Sequence, residues 1–382
     1  MRWEHVGRKN ETNCERNNSL FRSERDRNYQ SFLQEYASSA PRATEYFNEN
    51  NQKKGLQQKA LANTVLAAAK HIDDLSVLAD YIQQIGYKHR ALQVKAEHYP
   101  IVGHHLLEAI QSVLGDGATA QIMEAWEKTY SEIAQVFIDV EAEMYQAENW
   151  KGFQAFRVIS IDKPITGVIK LGLASTFPIG KIEPGQYVTV RIKDRDAIYY
   201  SNRHYSIYKF DETRNQIFIA VRIERQGVVS NYLNEKVQLD DEIYLSAPAG
   251  DFQLHKDTRH VFISSGIGET PILPMAKMAS EENQAVIWIQ NYRESSGSAL
   301  KAEISQLPST VKMYQNISKT EGRLDQNKLE DFLDGQLFGQ FYLCGSPEFT
   351  IGIKKALLEI GVLEEKIHYE VFDAPKMSTV FS

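Results

Sequence analysis

The sequence predicts a multidomain fold: an all-α domain, then an antiparallel β-barrel, then an α/β domain built on a parallel sheet. Three observations predict it. Apolar residues recur at helical spacing up to about position 149, and the period then drops to two through short runs bounded by turn residues. From Val261 onward, short apolar runs alternate with helical stretches. At 382 residues the chain is also too long for one small core.

The first helical stretch covers 60–72, which is Ala-rich with Leu61, Val65, Leu66 and Ile72 as apolar positions. After Asp73-Asp74, the residues Leu78, Ile82, Ile85 and His89 fall on one stripe. A histidine there is either a satisfied core residue or a ligand to a buried iron. Tyr99, Val102, Leu106, Ile110 and Val113 define the next helix. Beyond a Gly115-Asp116-Gly117 turn, Ile122, Trp126, Tyr130, Ile133, Phe137, Val140 and Met144 define a further one.

Past Trp150, Val188, Val190 and Ile192 share one strand face, and 168–173, 204–210, 216–223 and 242–246 also read as strands. Several short strands with little helix predict a small antiparallel barrel. In the last third, 261–265, 285–290, 311–316 and 340–344 are short apolar strands, alternating with helical stretches such as 271–279 and 351–360.

Composition excludes several classes of function. Hydrophobic content of 42% and charged content of 24% are those of an ordinary globular protein, and a formal charge of -7 offers no basic footprint for nucleic acid. Cys14 and Cys344, the two cysteines, cannot build a disulfide framework or a structural zinc site. No apolar run reaches about 18 residues and no signal-like segment opens the chain, so no stable membrane insertion is expected and the expected location is the cytoplasm.

Several short motifs carry chemistry. Ser264-Ser265-Gly266-Ile267-Gly268-Glu269-Thr270-Pro271 links a buried strand to a helix: Gly266 and Gly268 let a ligand approach the backbone, Thr270 lies at the helix start, and Pro271 suits the first helical turn. Such a turn also serves plain packing. Arg203-His204-Tyr205-Ser206 sits on a barrel strand, where an arginine fork can hold a pyrophosphate and a tyrosine ring can lie along a flavin. An ordinary strand with one exposed arginine has the same pattern.

The barrel region adds Pro184-Gly185-Gln186-Tyr187, then Gly227-Val228-Val229-Ser230, whose amides can face a phosphate, then Ala247-Pro248-Ala249-Gly250-Asp251-Phe252. Tyr342-Leu343-Cys344-Gly345-Ser346-Pro347 ends a late strand at the ligand-facing edge of the sheet. Cys344 is there either beside a nicotinamide or as a small buried residue. His368-Tyr369-Glu370-Val371-Phe372 offers an aromatic ring that can cover a flavin.

Taken in order, these segments from about 47 to 373 resemble a flavohaemoglobin, a globin joined to a reductase module. The resemblance implies an aberrant segment over 1–46, a globin over 47–149, an FAD-binding barrel over 150–256 and an NAD(P)-binding domain over 257–382. It implies haem b, FAD and NAD(P)H as cofactors. His89 matches the proximal iron ligand, Tyr99 and Glu143 match the partners that hydrogen-bond beside it, and Lys88 matches a lysine between haem and flavin. Phe47 resembles the phenylalanine packed on the haem, and Gln57 and Leu61 resemble distal-side residues. Tyr187, Arg203, Tyr205, Ser206, Gly227, Val229, Ser230, Glu370 and Phe372 match flavin-side positions; Gly266, Gly268, Thr270, Pro271, Cys344 and Gly345 match nucleotide-side ones.

The activity this implies is nitric oxide dioxygenation, with nitric oxide, O2 and NADH or NADPH as partners and a monomeric enzyme. Two other readings compete. One is an NAD(P)H-dependent flavin reductase or oxidase with an impaired globin, and the other is a haem-based gas-binding sensor, against which the flavin and nucleotide segments argue.

The segment 1–46 departs from the family. Its Leu, Ile, Val and Met residues are Met1, Val6, Leu20 and Leu33, and it lacks helical periodicity. Its residues from Asp26 to Tyr36 can be back-translated so that a one-base shift spells TEITKVFYKNM, and those from Tyr36 to Tyr46 so that it spells MLQAHPELLNI. Both strings resemble the globin segment that the visible frame lacks. The hypothesis is an out-of-frame start whose frame is restored near Phe47. Resequencing the coding segment is expected to reveal compensating single-base changes; an uninterrupted frame on both sides would sink the idea.

Overall fold

A computed structural model describes residues 64, 65, 67, 68, 70, 71, 74–194, 197 and 199–372. The expectations for 1–46 and for Phe47, Gln57 and Leu61 lie outside the described residues. The chain divides into two compact units, one helical and one holding the barrel and the parallel sheet.

In the helical unit, the Asp74 side chain accepts from the Ser76 N–H and opens a short 3-10 turn, Leu75–Leu78, that leads into α1 (Ala79–Leu92). Helix α1 stops where Gln93 turns left-handed at φ 64° and the Val94 N–H donates to the His89 carbonyl at 2.9 Å. That stop leaves His89 in the last turn. Helix α2 (Tyr99–Leu114) starts with Pro100 in its first turn, and α3 (Ala120–Gln146) is capped by Thr119.

Helix α3 packs on both α1 and α2. Ile133 and Phe137 of α3 meet Leu78 and Ile82, while Trp126, Tyr130 and Ala134 meet Leu106 and Ile110. Gly103 permits the second of these contacts, because a Cβ there would lie 2.3 Å from the Tyr130 ring. Tyr130 uses that approach to donate its hydroxyl to the Tyr99 carbonyl at 2.7 Å.

In the second unit, β1 (Gln154–Ile165), β2 (Val168–Ala174), β3 (Tyr187–Ile192), β4 (Ser201–Asp211), β5 (Gln216–Arg222) and β6 (Glu242–Leu245) close a barrel in the order β1-β2-β5-β4-β3-β6. Inward residues such as Phe156, Leu171, Val188, Ile219 and Leu245 fill it. A short helix α4 (Val228–Glu235) follows β5 and sends Val229 and Leu233 into the same core.

The parallel sheet has the order β11-β10-β7-β8-β9, with β7 (Arg259–Ser265), β8 (Ala285–Tyr292), β9 (Lys312–Ile317), β10 (Gln340–Gly345) and β11 (Ile367–Val371). Phe262, Trp288, Tyr342 and Cys344 face α5 (Glu269–Glu281). The alternate residues Val261, Ile263, Ile289 and Leu343 face α6 (Gln326–Leu333) and α7 (Pro347–Glu359). Both faces being covered is why these strands read as continuous apolar runs.

On this sheet His368 stacks on His255, with ring centroids 3.9 Å apart, and lies 5.1 Å from the Tyr342 ring. Its Nε2 is 2.8 Å from Gln340 Oε1. Burial, with His255 and Lys366 nearby, holds its imidazole at a pKa of about 4 instead of the ordinary 6.5. The unfolded chain therefore takes up a proton between those values that the folded chain refuses, so the contribution of His368 to stability is full above pH 6.5 and is lost as the pH falls toward 4. His368→Phe keeps an aromatic ring but cannot titrate. Urea unfolding across that interval is expected to show a shallower loss of stability in the variant than in the parent.

Candidate functional site

The helical unit gathers a histidine, a tyrosine and a carboxylate from three helices. His89 Nδ1 lies 2.7 Å from Glu141 Oε1 and 3.2 Å from the Tyr99 hydroxyl, which itself donates to Glu141 Oε1 at 2.5 Å. Glu141 is only 3% exposed, and the His89 side chain is 33% exposed. Burial first, and the adjacent Glu141 charge second, push the Tyr99 phenol far above its ordinary pKa, so it stays protonated and a donor.

The arrangement fixes the imidazole tautomer. With Nδ1–H directed at the carboxylate, Nε2 carries the lone pair, and among the described residues it makes no hydrogen bond. An imidazole held through one nitrogen, with the other bare and partly exposed, fits an iron ligand with its supporting carboxylate. These residues therefore fit haem. Lys88, beside it on α1, is half-buried.

The barrel brings together the segments that the sequence singled out. Tyr187 and Ala249 exchange backbone hydrogen bonds at 2.9 Å, and the Ile207 N–H donates to the Gln186 carbonyl. The Tyr187 ring lies 4.8 Å from that of His204, and a Cβ on Gly250 would be 3.1 Å from it. Tyr205 is half-buried on β4, with Ser206 buried beside it, and the Arg203 charge is close enough to act on the Tyr205 phenol, whose pKa burial raises. Gly227 precedes α4, and Ser230 accepts from the Glu224 N–H at 3.1 Å while donating to the Gly227 carbonyl. Val229 is wholly buried in the barrel core.

At the sheet edge, Gly266 turns left-handed at φ 53° with open space where a Cβ would be. Gly268 is packed: a Cβ would sit 2.3 Å from the Cys344 carbonyl oxygen. Thr270 donates to the Ile267 carbonyl and, with Pro271, begins α5. An open glycine turn at a helix N-terminus beyond a parallel strand fits a nucleotide phosphate. Gly345 lies against Ser265 and Phe349. The Cys344 thiol is wholly buried among Phe262, Ile272 and Trp288, and burial raises its pKa well above the ordinary value. Glu370 is half-buried and pairs in register with Cys344, while Phe372 is 43% exposed.

Family models match the chain over two segments: Globin over residues 30–137 and Oxidoreductase FAD-binding domain over residues 164–254. A flavohemoprotein of Bacillus subtilis is 36% identical over 363 residues, covering 88% of this chain and 90% of that protein. Flavohemoprotein A of Dictyostelium discoideum is 34% identical, covering 89% of this chain and 91% of its own length. The chain belongs to the flavohemoprotein family. Among solved structures, a flavohemoglobin from Malassezia yamatoensis with bound FAD and heme aligns with a TM-score of 0.86 at 21% identity, covering 97% of this chain and all of that one, which shows the shared fold.

One expected partner of His89 in this flavohemoprotein is corrected. Glu143 is exposed, and the carboxylate beside the histidine is Glu141. The reason is helical phase: Glu141 follows Phe137 by four residues and shares its buried stripe, whereas two further residues rotate position 143 by about 200°. The signal was a lone acid on the apolar stripe.

Glu269 was passed over as well. Inside the glycine motif it is wholly buried and accepts from the Tyr292 hydroxyl at 2.6 Å, the Ser298 hydroxyl at 2.9 Å and the N–H groups of Ala299 and Leu300 at 2.7 and 3.0 Å. Nothing in its sequence position separates it from an exposed first-turn acid.

Replacing Glu141 by Leu removes the shared acceptor of two part-buried groups, His89 and Tyr99, and is expected to destabilise the helical unit by about 2 kcal/mol. Glu143→Leu is expected to stay within about 0.5 kcal/mol. Guanidinium unfolding followed by circular dichroism measures both.

Proposed function

We propose that this flavohemoprotein is an NAD(P)H-dependent nitric oxide dioxygenase that acts as a cytoplasmic monomer. The supporting observation is the His89–Glu141–Tyr99 constellation on one chain with a flavin-type barrel and a nucleotide-type sheet. The balance is two nitric oxide and two O2 with one NAD(P)H, giving two nitrates, NAD(P)+ and one proton. When bound, haem b supplies oxygen chemistry and FAD converts the hydride's electron pair into single electrons.

The chain's own part is binding and tuning. Glu141 draws the Nδ1 proton of His89 and so strengthens Nε2 as a donor. Tyr99 donates to the same carboxylate oxygen and holds it in place. On the haem side we assign His89 and Lys88, with Phe47, Gln57 and Leu61 from the sequence. On the flavin side we assign Tyr187, Arg203, Tyr205, Ser206, Gly227, Val229, Ser230, Glu370 and Phe372. For the nucleotide we assign Gly266, Gly268, Thr270, Pro271, Gly345 and the backbone of Cys344. No helix among the described residues is long and apolar enough to cross a membrane.

A second reading, a flavin reductase with an impaired globin, is favoured by the departure of 1–46 from helical periodicity. Haem and FAD content, with nitric oxide consumption under NADH in air, separates the two. The dioxygenase is expected to bind both groups and make one nitrate per nitric oxide consumed. FAD with little haem, and NADH oxidation without nitric oxide loss, would overturn it. In the holoenzyme, Glu141→Gln is expected to lower nitric oxide turnover about tenfold or more while leaving flavin reduction by NADH unchanged.

A further inference from the structure

We propose that His104, His105 and Glu108 on α2 form a site for a divalent first-row transition-metal cation such as Zn2+, separate from His89. Glu108 stands four residues after His104 and three after His105, so one helix face carries all three side chains. Glu108 Oε1 lies 3.3 Å from His104 Nε2, and Oε2 lies 3.0 Å from His105 Nδ1. The ligand atoms of the three residues all lie within 4.8 Å of one another.

These separations match what a metal needs. Bond lengths of about 2.0–2.2 Å in tetrahedral geometry place neighbouring ligand atoms about 3.3 Å apart. Each histidine already stands near that spacing from one oxygen of Glu108, His104 from Oε1 and His105 from Oε2. The remaining gap closes by a turn of the His104 ring, which is free to move because its side chain is 68% exposed. His105, only 8% exposed, supplies a ligand already fixed by packing.

The donor set also selects the ion. Two neutral imidazoles and one carboxylate carry a net negative charge, and nitrogen donors favour zinc, copper or nickel over calcium or magnesium, which take oxygen ligands. In the metal-bound form each neutral imidazole turns a lone pair to the cation and keeps its one proton on the other ring nitrogen. The remaining coordination positions face solvent and accept water. Such an ion clamps more than a turn of α2, the helix whose first residue is Tyr99.

Zn2+ titration of the whole chain by calorimetry tests this, with the His104→Ala and Glu108→Gln variants in parallel. Loss of a merely supporting residue costs a metal site about 10–100-fold in affinity, so loss of a ligand is expected to weaken one equivalent of Zn2+ at least tenfold. Both altered side chains are exposed, so the variants are expected to keep the parent's unfolding midpoint without metal and its haem and FAD content. Absence of a Zn2+ equivalent in the parent, or equal affinity in the parent and both variants, would overturn the proposal.

Discussion

A buried carboxylate is the constraint on which the helical unit turns. Taking an ion such as Glu141 out of water costs on the order of several kcal/mol unless donors surround it. The donors here come from elsewhere in the chain: His89 from the last turn of α1 and Tyr99 from the first turn of α2. The carboxylate is satisfied only when all three helices meet in one register. The Gly103 approach and the Tyr130 bond to the Tyr99 carbonyl set the α2 side. On the α1 side, Tyr145 donates to the Val94 carbonyl at 2.6 Å, just past the left-handed stop at Gln93.

Much of the fold was legible because burial imposes a period. The stripes Leu78–Ile82 and Tyr130–Ile133–Phe137 are core contacts, and the doubly buried strands β7, β8 and β10 show as unbroken apolar runs. Three elements were not separable. Only the first half of β1 alternates, since its end at Ile161–Ile165 has no buried position. Helix α4 spans two turns, too few to set a period. Strand β11 lies at the sheet edge, and only Ile367 of its residues is buried.

Site legibility followed a different rule. His89 and the glycines of the turn after β7 stood out because each departs from its local pattern, a polar ring on an apolar stripe or an open turn after a strand. Glu141 departs in the same manner, but the family resemblance pointed to Glu143, and the helical phase set by Phe137 is what separates the two. Cys344 shows the converse. Its position at the strand end suggested chemistry, yet strand alternation turns the thiol into the core with Tyr342 and leaves the backbone carbonyl facing Gly268.

Glu269 repeats in the second unit the device that Glu141 serves in the first. Burial raises its pKa and its hydrogen bonds pull in the opposite direction. Its four donors belong to the end of β8 and to the segment 298–300, while the carboxylate itself stands at the start of α5. An ionised carboxylate accepts at every lone pair, so it can collect N–H and O–H groups from separate stretches, which a glutamine, with two donors of its own, cannot match. Periodicity says which face of an element is buried but not which loops must converge. In both units a buried acid fixes that convergence, and a sequence pattern cannot reveal the role until the donors are seen around the acid.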